Sequence, residues 1–225
     1  CFSPLAQLSQ LIPELDFPRH HLPSHFHSVG PLRSPAKDAV DIPHREPRTL
    51  KVYASLGTLQ GHRYSLFKKV VTACQRADAQ LLLAHCGGLS SAQGHQLGRQ
   101  SGVEIVDFVD QPQAIAAADV TLTHGGMNTV LDSIQQRKPL LVVPLAFDQP
   151  GVAARVVHHG IGQRLSRLSG AKTWSTQLTQ LSDPSETRDN LQRLQRALQL
   201  AGGISQAVKV VTQALSLGQP VLARR

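Results

Sequence analysis

A chain of 225 residues with 41% hydrophobic residues carries enough apolar side chain for a proper core, which excludes a disordered polypeptide. No run of about 18 apolar residues is present, which excludes a helical membrane span; Cys1, Cys74 and Cys86 lack metal-ligand spacing and cannot all pair, which excludes a disulfide scaffold and makes a reducing cytoplasm the expected compartment. Lys and Arg outnumber Asp and Glu by 23 to 15, a formal net charge of +8 that favours anionic partners, but scattered basic residues and only 4% aromatics turn this away from nucleic acid, toward a phosphate-bearing small molecule or peripheral contact with an anionic membrane.

The chain begins at Cys1 with no basic segment leading into a short apolar core, so it is expected to carry no signal peptide and to be cut from something longer. Residues 1–48 are rich in Pro and His. Pro13, Pro18, Pro23, Pro31, Pro35, Pro43 and Pro47 break every periodic pattern, and the segment reads as a tail or linker wrapped on a surface. His20, His21, His25 and His27 have no Cys, Asp or Glu at ligand spacing among them, so no metal site is expected there.

From Thr49 onward short β-rich runs alternate with helical periods. Residues 49–54 read as a strand ending at Ser55-Leu56-Gly57-Thr58, and Leu66, Phe67, Val70, Val71 and Cys74 recur at helical spacing. Residues 80–84 and 104–109 are strands, 112–118 a short helix, 119–123 a strand, 127–136 a helix, and 139–144 a continuous apolar strand. A helix over 151–159 follows, with Pro150 at its start and Gly160 at its stop. Two amphipathic helices close the chain, one carrying Leu191, Leu194 and Leu198, the other Ile204, Val208, Val211 and Leu215.

Strands apolar on both faces, such as 140–143, belong to a parallel sheet covered by helices on each side, so the predicted fold class is α/β with a doubly wound parallel sheet. In such sheets ligands sit beyond the carboxyl ends of the strands. Three strand ends carry unusual chemistry: Ser55-Leu56-Gly57-Thr58, Thr123-His124-Gly125-Gly126-Met127-Asn128-Thr129, and Phe147-Asp148-Gln149-Pro150. In the middle segment two glycines let the backbone approach a ligand, and the following helix aims unpaired N–H groups at it; a phosphate is the natural occupant, held further by Asn128 and Thr129. Asp132 lies one turn on, placed to accept from ribose hydroxyls. The bland alternative is a tight strand-to-helix turn. Ser55, Gly57 and Thr58 suit a second phosphate contact or mere capping; Asp148 suits a hydroxyl or an N-cap; His158 and His159 read as structural. Neither a Walker A signature nor Gly-x-Gly-x-x-Gly is present, which argues against an ordinary kinase or a dinucleotide oxidoreductase.

The ordered series Phe108-Val109-Asp110-Gln111, then residues 124–132, then Asp148-Gln149 resembles the signature of the nucleotide-sugar glycosyltransferases of the two-Rossmann-domain type, which runs from Trp-x-x-Gln through His-x-Gly-x-Asn-Ser/Thr to Asp/Glu-Gln. Within that family, residues 145–157 look most like the zeaxanthin glucosyltransferases of carotenoid biosynthesis. The resemblance implies a Rossmann-like C-terminal half of a two-domain glycosyltransferase fold, with 1–48 as interdomain linker or end of the acceptor domain and 49–225 as the nucleotide-sugar donor-binding domain. It implies that Phe108 stacks on uracil, that Val109 and Gln111 contact base or ribose, and that His124, Gly126, Met127, Asn128 and Thr129 hold the diphosphate. Asp132 would hold the ribose, and Asp148 with Gln149 the sugar hydroxyls, Gln149 being more in keeping with glucose than galactose. Phe108 stands for the usual Trp, Asp110 for Pro, and Asp132 for Glu.

The chemistry so implied is inverting transfer from UDP-glucose to a hydroxyl of a lipophilic acceptor, a carotenoid such as zeaxanthin, with His124 and the helix start stabilising the leaving diphosphate in place of a metal ion; no cofactor is expected. The general base implied by the family is a His of the acceptor domain, which nothing in this chain matches, so the chain alone is expected to bind donor without turnover. Two other readings are a naturally separate donor subunit and a nucleotide-sugar binding or epimerase-like protein. The net charge makes peripheral contact at the inner face of the membrane the expectation for a carotenoid acceptor.

Overall fold

The computed structural model describes residues 2–32 and 49–223. Cys1 and the linker prolines Pro35, Pro43 and Pro47 lie outside the described residues. The chain divides into two compact units, one joining Cys1–Pro35 to Arg193–Arg225 and the other spanning Ala36–Gln192.

Within the smaller unit, strands β1 (Gln7–Ser9) and β2 (Phe26–Ser28) pair in parallel. Main-chain bonds from Val221 N–H to Leu5 O (2.8 Å) and from Ala223 N–H to Ser24 O (2.7 Å) bind the chain's two ends, and Nε2 of His27 meets Val221 O at 2.9 Å. The segment read as a linker therefore contributes two strands and pairs with the last residues of the chain.

The larger unit holds β3 (Lys51–Ser55), β4 (Gln80–Ala84), β5 (Val103–Val106), β6 (Val120–Thr123), β7 (Leu140–Val142) and β8 (Gly162–Arg164), all parallel, in the spatial order β5-β4-β3-β6-β7-β8. The helices between them are α1 (Tyr64–Arg76), α2 (Ser91–Gly98), α3 (Gln111–Ala117), α4 (Met127–Gln135), α5 (Gln149–His158) and α6 (Ala171–Leu181). The doubly wound parallel sheet expected from the sequence is what forms. On one face Val52, Ala54, Leu81, Leu83, Leu122 and Leu141 pack with Phe67 and Val70 of α1 and Trp174 and Leu178 of α6. Tyr53 and Ala84 face the other way, toward Ala114 and Ile115 of α3. Each large side chain so buried contributes roughly 1.5–3 kcal/mol. The indole Nε1–H of Trp174 keeps partners in Ser166 O (3.2 Å) and Ser169 Oγ (2.9 Å).

In the larger unit one strand and two α-helices also went unread in the sequence. The helix α2 carries two glycines, Gly94 and Gly98, and buries only Leu97, so its apolar period is weak. The strand β8 is three residues of Gly-Gln-Arg at a sheet edge, and α6 hides its core face in a polar-rich run. The helix over 151–159 starts two residues earlier, with Pro150 in its first turn, where the missing N–H costs nothing.

The two closing helices are α7 (Arg188–Leu200) and α8 (Gly203–Leu217). Leu191, Leu194 and Leu198 of α7 are buried as their spacing predicts. In α8 the expected stripe Ile204, Val208, Val211 and Leu215 is exposed, and the buried face is Ala207, Val210 and Ala214. That helix is apolar on two faces, so periodicity could not say which one packs within the chain. Among the described residues no helix is long and apolar enough to cross a membrane.

Candidate functional site

Strand order reverses direction between β3 and β6: the chain moves outward from β3 through β4 to β5, then returns to β6 on the other flank. That is the switch point at which a parallel sheet opens a crevice at its carboxyl edge. The register sets the strand ends level, with Ser55 opposite both Ala84 and Thr123, and Thr123 opposite Val142. The loops that follow must therefore meet at one rim.

His124 stands at the centre. A Cβ built on Gly57 would lie 2.7 Å from its Cε1 and 3.0 Å from Nε2, and one built on Gly126 would lie 2.8 and 2.9 Å from the same atoms. The imidazole is thus held between two glycine backbones, one from each side of the switch point. Gly57 adopts φ +69°, a conformation that a Cβ would strain. Ser55 Oγ accepts from Gly57 N–H at 3.2 Å and Thr123 Oγ1 from Gly125 N–H at 3.3 Å, so hydroxyls at both strand ends shape the turns. Burial lowers the pKa of His124, with the Ser55 main chain and the Asp148 carboxylate opposing it; at neutral pH the ring is an uncharged hydrogen-bonding group. Gly125 brings in the third strand end, since its Cβ would stand 2.9 Å from Val142 Cγ1 and 3.4 Å from Gln149 O. Ser55, His124 and Gln149 therefore converge, as the donor-site reading requires.

The helix α4 begins at this point with Gly126 as its N-cap and no side-chain cap, and Met127 and the exposed Asn128 occupy its first turn. Behind them lies a buried polar network. Gln111 Nε2 donates to Asp132 Oδ2 at 2.8 Å, which leaves its Oε1 to accept from Thr129 Oγ1 at 3.2 Å and from Tyr53 OH at 3.4 Å. Burial pushes the Tyr53 phenol up to about 12, so it stays a donor. Gln111, Thr129 and Asp132, expected to meet ligand separately, are bonded to one another here. The hydroxyl proton of Thr129 is spent on Gln111.

At one end of the rim Phe108, 68% exposed, and Val109 project from the loop after β5. Asp110, where the family signature has Pro, is the N-cap of α3 and accepts from Gln113 N–H at 3.1 Å. At the other end Gln149 is buried, and its Oε1 accepts from Leu145 N–H and Ala146 N–H, both at 2.8 Å, which leaves its amide nitrogen as the donor. Asp148 holds the N-cap position of α5 without using its side chain as a cap, so its exposed carboxylate remains an acceptor at the rim. Thr58 is exposed in the turn after β3. Sequence reasoning passed over Tyr53, His85 and Asp107, although His85 directly follows the strand read over 80–84; Asp107 falls inside the strand read over 104–109, which ends at Val106.

Taken along the rim, the order is an exposed aromatic ring, then glycine turns around a neutral imidazole and an uncapped helix start, then a carboxylate and an amide. Strands about 4.8 Å apart spread these groups over about 19 Å from β5 to β7. An elongated ligand with an aromatic ring at one end, anionic charge in the middle and hydroxyls at the other would meet a matching group at each step.

Comparison with known proteins identifies a family. The glycosyltransferase family 28 C-terminal domain matches residues 61–198. The zeaxanthin glucosyltransferase of Pantoea ananas is 51% identical over 228 residues, covering 99% of this chain and 52% of that protein; the one from Pseudescherichia vulneris is 45% identical, covering 98% and 53%. The chain spans about half the length of the curated relatives it matches. Among solved structures, the glycotransferase of kitacinnamycin superposes with a TM-score of 0.82 at 22% identity, over 93% of this chain and 55% of that one. The calicheamicin glycosyltransferase CalG4 gives 0.79 at 23%, over 97% and 55%. At those identities the likeness concerns the fold.

Proposed function

This chain belongs to the glycosyltransferase family 28 C-terminal domain family, and we propose that it is the donor-binding half of an inverting glycosyltransferase that moves glucose from UDP-glucose to a hydroxyl of a lipophilic acceptor, a carotenoid such as zeaxanthin. The observation that carries the proposal is the placing of His124 between Gly57 and Gly126 at the switch point, with Phe108 and Gln149 at opposite ends of the same rim. The carotenoid acceptor is supported by the 51% identity to a zeaxanthin glucosyltransferase.

In this reading uracil stacks on Phe108 beside Val109, the ribose lies near Gln111 and Asp132, and the diphosphate sits over Ser55, Gly57, Thr58 and the start of α4, where Met127, Asn128 and Thr129 open the helix. Asp148 and the side-chain amide of Gln149 take the sugar hydroxyls. The acceptor oxygen attacks the anomeric carbon from the face opposite the diphosphate; the new C–O bond forms as the old one to the phosphate oxygen breaks, and the acceptor's proton passes to a base. Negative charge grows on the leaving diphosphate. A neutral imidazole N–H and the N-terminal amides of α4 are placed to meet it, stabilisation of the kind that a metal ion could otherwise supply.

Calorimetry of the chain with UDP-glucose, UDP and GDP tests the donor assignment: UDP-glucose and UDP should bind and GDP bind far more weakly, whereas absence of UDP binding sinks it. A transfer assay of the chain alone on a carotenoid should give binding without turnover, and appreciable transfer would show that it carries its own base. Peripheral attraction to an anionic membrane follows from the charge of +8; association with anionic liposomes should fall as salt rises, and salt-insensitive binding would refute it.

A further inference from the structure

His85 directly follows β4, is only 5% exposed, and has no part in the roles assigned above. A main-chain N–H can only donate, so the 3.1 Å bond from Leu89 N–H makes Nδ1 of His85 an acceptor and places the ring proton on Nε2. That Nε2–H donates to Oδ1 of Asp107 at 2.7 Å. The register Ala84 to Val106 brings the two residues together, and main-chain bonds from His85 N–H to Val106 O (3.1 Å) and from Cys86 N–H to Asp107 O (2.7 Å) close the same junction. The Asp107 side chain is otherwise 72% exposed. A surface carboxylate is ordinarily free to rotate; this one is fixed by a buried ring whose other nitrogen is itself tied down.

The next residue is Phe108. Its ring passes over Gly87, where an added Cβ would stand 3.9 Å from both Cε2 and Cζ. The imidazole, the carboxylate and the exposed aromatic are thus linked in series, from the core outward. An aromatic shelf on a loose loop loses freedom each time a base stacks on it, whereas one whose backbone is already pinned has lost that freedom on folding.

We propose that His85 is a positioning residue for nucleobase recognition: through its bond to Asp107 it holds the Asp107–Phe108 segment so that the ring of Phe108 meets the base. This rests on the donor-site reading above, in which Phe108 is the stacking surface. The pair acts at the base end of the rim.

The test is titration of the 225-residue chain with two ligands, UDP and inorganic pyrophosphate, which share the anionic part and differ in the base and ribose. Asp107→Ala, an exposed substitution that leaves the core untouched, should weaken UDP about tenfold, within the range that base stacking supplies, and leave pyrophosphate unchanged. His85→Leu should do the same, and Asp107→Asn, which keeps an oxygen to accept the Nε2–H, should retain most of the UDP affinity. Unchanged UDP binding in Asp107→Ala, or an equal loss for both ligands, overturns the proposal while leaving the donor reading intact. Failure of the unsubstituted chain to bind UDP overturns both.

Discussion

The backbone of Gly126 lies so near the imidazole of His124 that a Cβ there would stand 2.8 Å from Cε1. Gly126 has φ −63°, which any residue adopts, so the space is denied to a side chain by the ring and by nothing else. Gly57 crowds the same Cε1 and Nε2 atoms but also has φ +69°.

These two glycines separate ring displacement from backbone strain. Gly126→Ala should push the imidazole aside and weaken UDP binding with little change in thermal midpoint. Gly57→Ala should weaken binding as well and, in addition, destabilise the fold by about 1–2 kcal/mol because alanine must enter a left-handed conformation. Calorimetric binding and thermal unfolding of both variants check this; full UDP affinity in Gly126→Ala would show that the ring does not touch the ligand.

Stacking on Phe108 should scale with ring area. Phe108→Ala should cost about 1–3 kcal/mol of UDP affinity, and Phe108→Trp should gain affinity by widening the face. Because the side chain is exposed, neither substitution should move the unfolding midpoint. Titration with UDP and a melt of each variant decide it, and equal affinities for Ala and Trp would remove Phe108 from the site.

The network at Gln111 should matter to stability as well as to binding. Gln111→Leu takes a partner from Asp132 Oδ2 and from the Thr129 and Tyr53 hydroxyls, and the loss of hydrogen bonds to buried groups should cost about 1–3 kcal/mol in denaturant unfolding. Gln111→Glu would place a second carboxylate beside Asp132 and should be the more destabilising of the two. An unfolding free energy unchanged in both would show the network to be idle.

Acid should destabilise the chain in part through His124, whose pKa the fold lowers by burial below its ordinary 6.5. Above that value the ring is neutral folded and unfolded, and the stability tied to it is fully present. As pH falls below it the unfolded chain binds a proton that the folded chain resists, so stability is lost progressively until the folded value is passed. Thermal midpoints between about pH 7.5 and pH 5 should therefore fall less steeply for His124→Asn than for the parent, the unfolded imidazole being the group that titrates. In acid, where the ring begins to protonate, a bound diphosphate favours the charged form, so UDP binding should take up protons there and not at neutral pH, measurable as a dependence of binding heat on buffer ionisation.

The strands 80–84 and 140–142, the latter read as 139–144, the helix over Leu66 to Cys74 and the start of α4 at Met127 were legible because each is a local matter: alternation, helical spacing and glycine placement are properties of neighbouring residues. The ordered residues from Phe108 to Gln149 were legible for the same reason. What the local pattern could not hold is which strand lies beside which. The clamp on His124 exists because β3 pairs with β6 across 68 residues of chain, from Val52 to Val120; the bond from His85 to Asp107 exists because Ala84 is level with Val106; and the burial of Ala207 rather than Val208 in α8 follows from what surrounds that helix. Most of the elements and the chemistry at their ends are written locally, since they depend on φ/ψ preference and side-chain type within a few residues. That three of those ends form one rim, and that Gln111, Thr129 and Asp132 bond to each other, emerges with the folded sheet, because register and strand order are settled by the packing of the whole sheet at once.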